Sequence, residues 1–401
     1  MYHRFDLAKI SVADFVVRTG YQMGKTPLLP IFAASLGAEA ALLGLIVSVS
    51  TLTGMVLKPT VGVLSDRWGR RGWLLVGILF FAGTPFLYRF VQTQEELLAL
   101  RLLHGLATAI FGPVSLAFVA EQCGSGRGER LGWFGMARSG GYVLGPALGG
   151  WLLLSMEPGL VFTAIGLLSC VALIPTLFLH EPASRDWASR ASVRQQMAAA
   201  VRSGSKAAGV WLAGVLELCV FLALYAAKAF LPLFALSQGI SVVLVGLFFS
   251  VQEIVHLSLK PLGGLIGDRV GHLLCIAMGM GLLGLCLPLL GVVGSPPSLM
   301  AVAVLVGAGQ ALIFPNTLAL VSEQVDQHHI GAGMGAVGTM RNVGKVAGPI
   351  LGGALLAVVE FESMLWAVAA FPLAAAAALG VYRCRNRGAG ARPARFEQLA
   401  G

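Results

Sequence analysis

The sequence predicts an all-α integral membrane protein: twelve transmembrane helices in two pseudo-symmetric six-helix bundles. Three observations predict it. The 401 residues are 57% hydrophobic and only 12% charged, with a mean hydropathy of +0.81. Soluble domains carry about 25% charged residues, so this chain lacks the surface that water requires. Apolar runs of about 20 residues recur twelve times, each able to cross a hydrocarbon core of about 30 Å. Finally, the second half rewrites the first. Lys58 to Arg71 reads KPTVGVLSDRWGRR and Lys260 to Leu273 reads KPLGGLIGDRVGHL, identical at six of fourteen positions.

The twelve runs centre roughly on residues 22, 52, 82, 109, 143, 169, 222, 252, 283, 310, 345 and 372. The basic start, Arg4 and Lys9, leads into a first run that carries Asp14, Arg18 and Lys25. A signal peptide has a uniformly apolar core instead, so the first helix is expected to stay. Run 2 ends in the Lys58 to Arg71 phrase. Run 3 precedes Arg89, and run 4 carries Arg101, His104 and Pro113 before Glu121. Run 5 holds RSGGYVLGPALGG, Arg138 to Gly150, and run 6 precedes the longest polar segment. Runs 7 to 12 repeat the order. Glu217, Lys228 and Pro232 answer Asp14, Lys25 and Pro30; Pro315 and Glu323 answer Pro113 and Glu121; RNVGKVAGPILGG, Arg341 to Gly353, matches run 5 at eight of thirteen positions. All offsets are 202 or 203. Six helices, an even number, separate the copies, so the halves are parallel repeats about an axis along the membrane normal.

This divides the chain into an N-terminal bundle (1–180), a linker (181–207), a C-terminal bundle (208–384) and a tail (385–401). The linker's middle, 188–202, has the pattern of an amphipathic surface helix. Of the 28 Lys and Arg, eighteen fall in the N-terminus, the even-to-odd loops and the tail, nine within helices, and one, Arg89, on the opposite side. The positive-inside rule then places both termini in the cytoplasm, with the protein in the cell (inner) membrane. The +9 net charge is thus a topology signal, and no nucleic-acid partner is expected. The six cysteines are scattered, with no CxxC pair and no metal-ligand spacing, so neither metal nor cofactor is expected.

Two short loops present Asp-Arg-x-Gly at a helix end. Asp66 or Asp268 can accept from the free N–H groups of a neighbouring helix N-terminus, and Arg67, Arg70 and Arg269 can pair with acids such as Glu121. With Gly62 and Gly69 for close backbone approach, these residues form a candidate gate. Simple basic anchoring explains the arginines but not the paired Asp. Gly141, Gly145, Gly149 and Gly150 form a small-residue face, and Pro146 can kink the helix; with Gly348 and Pro349 this reads as a packing seam and pivot between halves.

Glu253, His256 and Lys260 share one helical face, with Glu253 near the expected midplane. Their first-half counterparts Thr51, Gly54 and Lys58 lack acid and imidazole, so repeat symmetry does not demand them. Burial favours a protonated carboxyl and histidine titrates near neutrality, so this pair is the first-choice proton site. A structural pairing of Glu253 with Lys228, Lys25 or Arg341 is the bland alternative. Asp14 and Glu217 are second-choice coupling acids. Tyr21, Gln22, Lys25, Tyr225, Lys228, Gln252, Gln310, Asn316, Arg341 and Lys345 are candidates to line a cavity.

GVLSDRWGRR, Gly62 to Arg71, resembles the loop 2–3 signature of the major facilitator superfamily, and GLIGDRVGHL is its second-half echo. LALRLLHGLATA, Leu98 to Ala109, resembles that superfamily's helix-4 signature around Arg101 and Gly105, with His104 where a Gln is usual. GYVLGPALGG, Gly141 to Gly150, resembles the helix-5 signature of the twelve-span drug:proton antiporters. The resemblance implies a cavity lined by helices 1 and 7 and a role for Arg101 as the cation that modulates a coupling acid. It implies a monomeric secondary transporter that exports a small organic molecule against protons by alternating access. Uptake or facilitated diffusion of a metabolite is the alternative within the class. An intramembrane enzyme finds no H-E-x-x-H, G-x-S-x-G or paired-carboxylate motif here, and a non-transporting sensor calls for a soluble domain that these residues do not supply.

Overall fold

Each expected apolar run is helical in the computed structural model, which describes residues 2–122, 127–181, 208–324 and 330–388. The first half comprises α1 (Tyr2–Met23, continuing through Gly24–Leu28 and Leu29–Ser35), α2 (Ala40–Trp68), α3 (Arg70–Leu87), α4 (Gln94–Gln122), α5 (Arg127–Leu152) and α6 (Pro158–Val171, then Leu173–Leu177). The second comprises α7 (Ala208–Ser237), α8 (Val242–Val270), α9 (His272–Cys286), α10 (Pro296–Gln324), α11 (Ile330–Leu356) and α12 (Phe361–Gly388). The linker expected at 181–207 is described only at Glu181, so the amphipathic helix expected over 188–202 lies outside the described residues. The expected tail is described only as the end of α12.

Among the described residues nine of these helices are long and apolar enough to cross a membrane by composition alone. The other three are α1, α5 and α11, which carry Asp14, Arg18, Lys25, Arg138, Arg341 and Lys345 and, in α5 and α11, the glycine faces. Their polar groups turn inward, while Val56, Leu79, Leu167, Leu285 and Val381 are more than half exposed on the outside. This inverts the surface of a water-soluble protein and suits a lipid solvent.

The repeat extends to turn geometry. Gly37 and Gly239, and Gly69 and Gly271, are the four described residues with positive φ, at 81°, 73°, 91° and 96°. At Gly69 and Gly271 a single residue separates one long helix from the next. The chain reverses within one residue there, at a φ that costs a glycine little. Gly62 differs: a Cβ built there meets nothing within 4 Å, so the close approach expected of it is absent.

Within each half α1 packs on α5 and α2 on α4, as α7 packs on α11 and α8 on α10. The halves meet through α2 with α11 and α5 with α8. A Cβ on Gly44 would collide with the Pro349 carbonyl, and one on Gly246 with the Pro146 carbonyl. Gly353 meets Ala40 and Gly150 meets Val242 in the same way, and Ser48 Oγ donates to the Val346 carbonyl at 2.9 Å. All of these contacts lie toward the ends of the helices remote from the Asp-Arg loops. α1 itself breaks at Gly24–Leu28, where Thr26 is extended (φ −151°, ψ 120°) and Pro27 supplies no donor.

Candidate transport cavity and its charge clusters

Two buried acids anchor matching triads. Arg138 of α5 donates from Nε to Asp14 Oδ2 at 3.0 Å and from Nη2 to Oδ1 at 2.8 Å. Ser115 of α4 donates to Oδ1 at 3.3 Å, and Arg18 lies 3.7 Å away. In the second half Arg341 of α11 donates from Nε to Glu217 Oε2 at 2.6 Å, and Thr317 of α10 donates to Oε1 at 2.8 Å. Asp14 and Glu217 therefore do not face the Lys25 and Lys228 of their own helices. Their charge is taken up by arginines from a neighbouring helix, Arg138 for Asp14 and Arg341 for Glu217.

Glu253 stands apart. Its side chain is 20% exposed, and His256 Nδ1 lies 3.7 Å from Oε1. Among the described residues neither ring nitrogen of His256 has a hydrogen-bond partner, and the ring meets Phe314 edge-on at 5.4 Å. Lys260, one turn further along the same face, is exposed.

Between the halves, cations gather on aromatic rings. Lys25 of α1 lies 5.0 Å from the Tyr225 ring centroid, Lys345 of α11 5.5 Å and Lys228 of α7 5.7 Å. Lys345 also lies 4.7 Å from the Phe221 ring, and Arg341 5.5 Å from it. Phe221, Tyr225 and Lys228 follow Glu217 at helical spacing on one face of α7. Gln22 is half-buried against α5.

Several residues expected in the lining are packed away. Asn316 is fully buried. It donates to the Gly263 and Leu312 carbonyls at 2.9 and 2.7 Å and lies 2.7 Å from His272 Nδ1. Gln252 and Gln310 are 2% and 4% exposed. Tyr21 meets Phe81 and His104 edge-on, deep in the first half, although Lys25 lies over its outer face at 5.6 Å. Arg101 is also an internal group. It donates to Ser50 Oγ, to the Ile46 carbonyl at 3.3 Å and to Tyr88 Oη at 3.4 Å, and Tyr88 Oη lies 3.0 Å from His104 Nδ1. Its partners are hydroxyls and a carbonyl. The geometry ties Arg101 to α2 and to Tyr88 just after α3 rather than to a coupling acid.

At the first Asp-Arg loop Asp66, Arg70 and Glu121 come together. Arg70 pairs with Asp66 and donates from Nη2 to Glu121 Oε1 at 2.8 Å and from Nη1 to Ser65 Oγ at 2.7 Å. The free N–H groups that open α3, those of Arg70 and Arg71, donate to Glu181 at 2.5 and 2.9 Å. Glu181 thus caps the start of α3. In the second half His272 occupies the position of Arg70, with Nε2 3.2 Å from Glu323 and 3.9 Å from Asp268. Arg67 and Arg269 are exposed.

The glycine face of α5 divides in two. Gly141, Gly145 and Gly149 meet Arg18, Thr19, Gln22 and Met23 of α1, inside the first half. Gly150 and the Pro146 carbonyl face α8 across the halves. Gly348 meets Leu222 and Ala226 of α7, while Pro349 faces α2. The seam expected between halves is therefore mostly an intra-bundle contact, and only its Gly150, Pro146 and Pro349 edges are shared.

The Major Facilitator Superfamily model matches residues 11–255 and again 213–399. The chain belongs to the major facilitator superfamily. Its fold matches that of the nucleoside transporter NupG at a TM-score of 0.78 and 14% identity, covering 94% of this chain and 98% of that one. It also matches the human organic anion transporter MFSD10 at 0.67 and 18%, covering 94% and 100%. An uncharacterized MFS-type transporter of Methanocaldococcus jannaschii is 24% identical over 84% of this chain and 88% of that protein. The chain also resembles the drug-antiporter branch. Multidrug resistance protein 1 of Bacillus subtilis is 31% identical over 39% of this chain and 40% of its own, and the quinolone resistance protein NorA of Staphylococcus aureus is 25% identical over similar shares.

As a member of a superfamily of membrane transporters, the chain is a multi-pass carrier of small molecules rather than an enzyme. Sequence reasoning overlooked several residues of its charge clusters: Ser115 and Thr317, the aromatic partners Phe221 and Phe249 (the latter 5.6 Å from Lys228 Nζ), and His272 and Glu181 at the loops. The repeat offset alone would have found the first two and His272, since each lies 202 residues from its counterpart. Glu181 and Phe249 carry no such signal, because nothing periodic links them to what they touch.

Proposed function

We propose that this superfamily member is a secondary active transporter working by alternating access, in which proton entry drives export of a small organic molecule. The observation that carries it is the difference among three intramembrane acids. Asp14 and Glu217 are 0% and 3% exposed and held by arginines, whereas Glu253 is partly exposed beside an imidazole. A proton carrier has to exchange with water, and of these three acids Glu253 is the partly exposed one, with no arginine partner among the described residues.

Close packing of the halves toward one end, with Lys25 of the first half over Tyr225 of the second, supports a cavity reached from the Asp-Arg end. The basic loops support a cytoplasmic place for that end. The relatives named for multidrug and quinolone resistance support the export direction. The test is transport in everted vesicles against a compound panel, with and without an imposed proton gradient. Accumulation that is indifferent to the gradient for every transported compound sinks the coupling.

A further inference from the structure

We propose that the central site takes an organic anion with an aromatic or apolar body, an inference that rests on the transporter reading above. The Lys25, Lys228 and Lys345 ammonium groups stand at 5.0, 5.7 and 5.5 Å from one ring centroid, that of Tyr225. They come from three helices, α1 in the first half and α7 and α11 in the second. All three side chains are half-buried, and none is ion-paired with a carboxylate among the described residues.

The remaining charges do not cancel them. Arg341 is matched by Glu217 and Arg138 by Asp14, which leaves Glu253, beside His256, as the acid facing this cluster among the described residues. Three like charges at membrane depth are costly unless they are hydrated or matched. The aromatic faces recover part of this, since a ring quadrupole attracts a nearby cation. An anion recovers more, and a positively charged site walled by low dielectric concentrates anions. A lipophilic cation would meet repulsion from all three ammoniums.

The apolar body has a place as well. Phe221 stacks on Phe314 with centroids 5.1 Å apart and tilts against Tyr225 at 5.9 Å, so an aromatic surface lies beside the cations. A bound anion touching Lys25 and Lys228 or Lys345 would draw α1 toward α7 and α11. Substrate binding would then bridge the two halves.

The test compares fluorescein, an aromatic anion, with a cationic rhodamine built on the same xanthene ring. Both are titrated by fluorescence anisotropy into the full chain in nanodiscs of zwitterionic phosphatidylcholine. Fluorescein is expected to bind the more tightly, and Lys25→Gln, Lys228→Gln and Lys345→Gln each to weaken it roughly tenfold, the worth of one charged hydrogen bond. Rhodamine affinity is expected to hold or rise in those variants. Lys345→Arg, which keeps the charge, should retain more fluorescein binding than Lys345→Gln, separating charge from folding. Tighter rhodamine than fluorescein binding, or fluorescein affinity untouched by all three glutamine variants, overturns the anion site. Fluorescein that binds but does not cross a proteoliposome membrane overturns the transport reading and leaves the anion site standing.

Discussion

Arg138 holds both oxygens of Asp14, at 2.8 and 3.0 Å, across 124 residues of chain, and Arg341 reaches Glu217 across the same 124 residues at 2.6 Å. Each pair joins the first helix of its half to the fifth. Both acids are almost fully buried, so removing one arginine strands a carboxylate. Arg138→Gln is expected to cost about 3 kcal/mol, the low end for a broken buried pair, because Arg18 and Ser115 remain. Adding Asp14→Asn should recover part of that loss. The melting temperature of purified protein measures both, and a double variant less stable than the single one would contradict the pairing.

Glu253→Gln keeps the size and most hydrogen bonding of the side chain but removes the exchangeable charge. The variant is expected to bind substrate and equilibrate it across the membrane without concentrating it under a pH gradient. His256→Ala is expected to move the pH optimum of transport while preserving coupling, since its imidazole adjoins the acid at 3.7 Å and does not replace it. Uphill transport by Glu253→Gln at the normal rate would reassign the proton to Asp14 or Glu217.

The two Asp-Arg loops should respond unequally. Asp66 pairs with an arginine that is always charged, whereas Asp268 faces His272, charged only when protonated. Asp66→Asn is expected to cut transport strongly at a stability cost of about 1 kcal/mol or less, and Asp268→Asn to cut it less. In a His272→Arg background the second substitution should become as damaging as the first. Initial transport rates of the four proteins decide it, and equal tolerance throughout would reduce the loops to membrane anchors.

Gly44 and Gly246 let α2 and α8 touch the carbonyls of Pro349 and Pro146. An alanine at either place has no room and must push the halves apart at that end, at about 1–3 kcal/mol for overpacking. Gly246→Ala is expected to raise the labelling of a cysteine placed on the cavity face of α8 from the end remote from the Asp-Arg loops. Unchanged labelling would show that this contact does not close the path.

Orientation is checked with an impermeant thiol reagent on intact cells, in a variant whose six native cysteines are replaced. A cysteine at Gly239 or Pro297 is expected to react from outside, and one at Gly271 to remain protected. Reaction at Gly271 alone would invert the topology.

The sequence by itself determined the solvent, the number of spans and the duplication. Those properties are written in local runs of apolar residues and in a fixed offset of 202 or 203. The same offset carried the one-residue turns at Gly69 and Gly271, because only a local backbone demand is being met there.

Tertiary structure decided which way each polar side chain turns around its helix and which helix it meets. Asp14 and Lys25 share a face by count, yet α5 delivers Arg138 to Asp14 and leaves Lys25 to reach Tyr225 of the other half. Asn316, read as lining, ties α10 to α8, and Arg101, read as a coupling cation, ties α4 to α2 and to Tyr88 just after α3. A carboxylate in hydrocarbon takes the nearest available cation, and nearness between helices is set by where glycines let backbones close up. Gly141 and Gly145 bring α5 against α1, and that approach, which no periodicity states, selects Arg138 as the partner of Asp14.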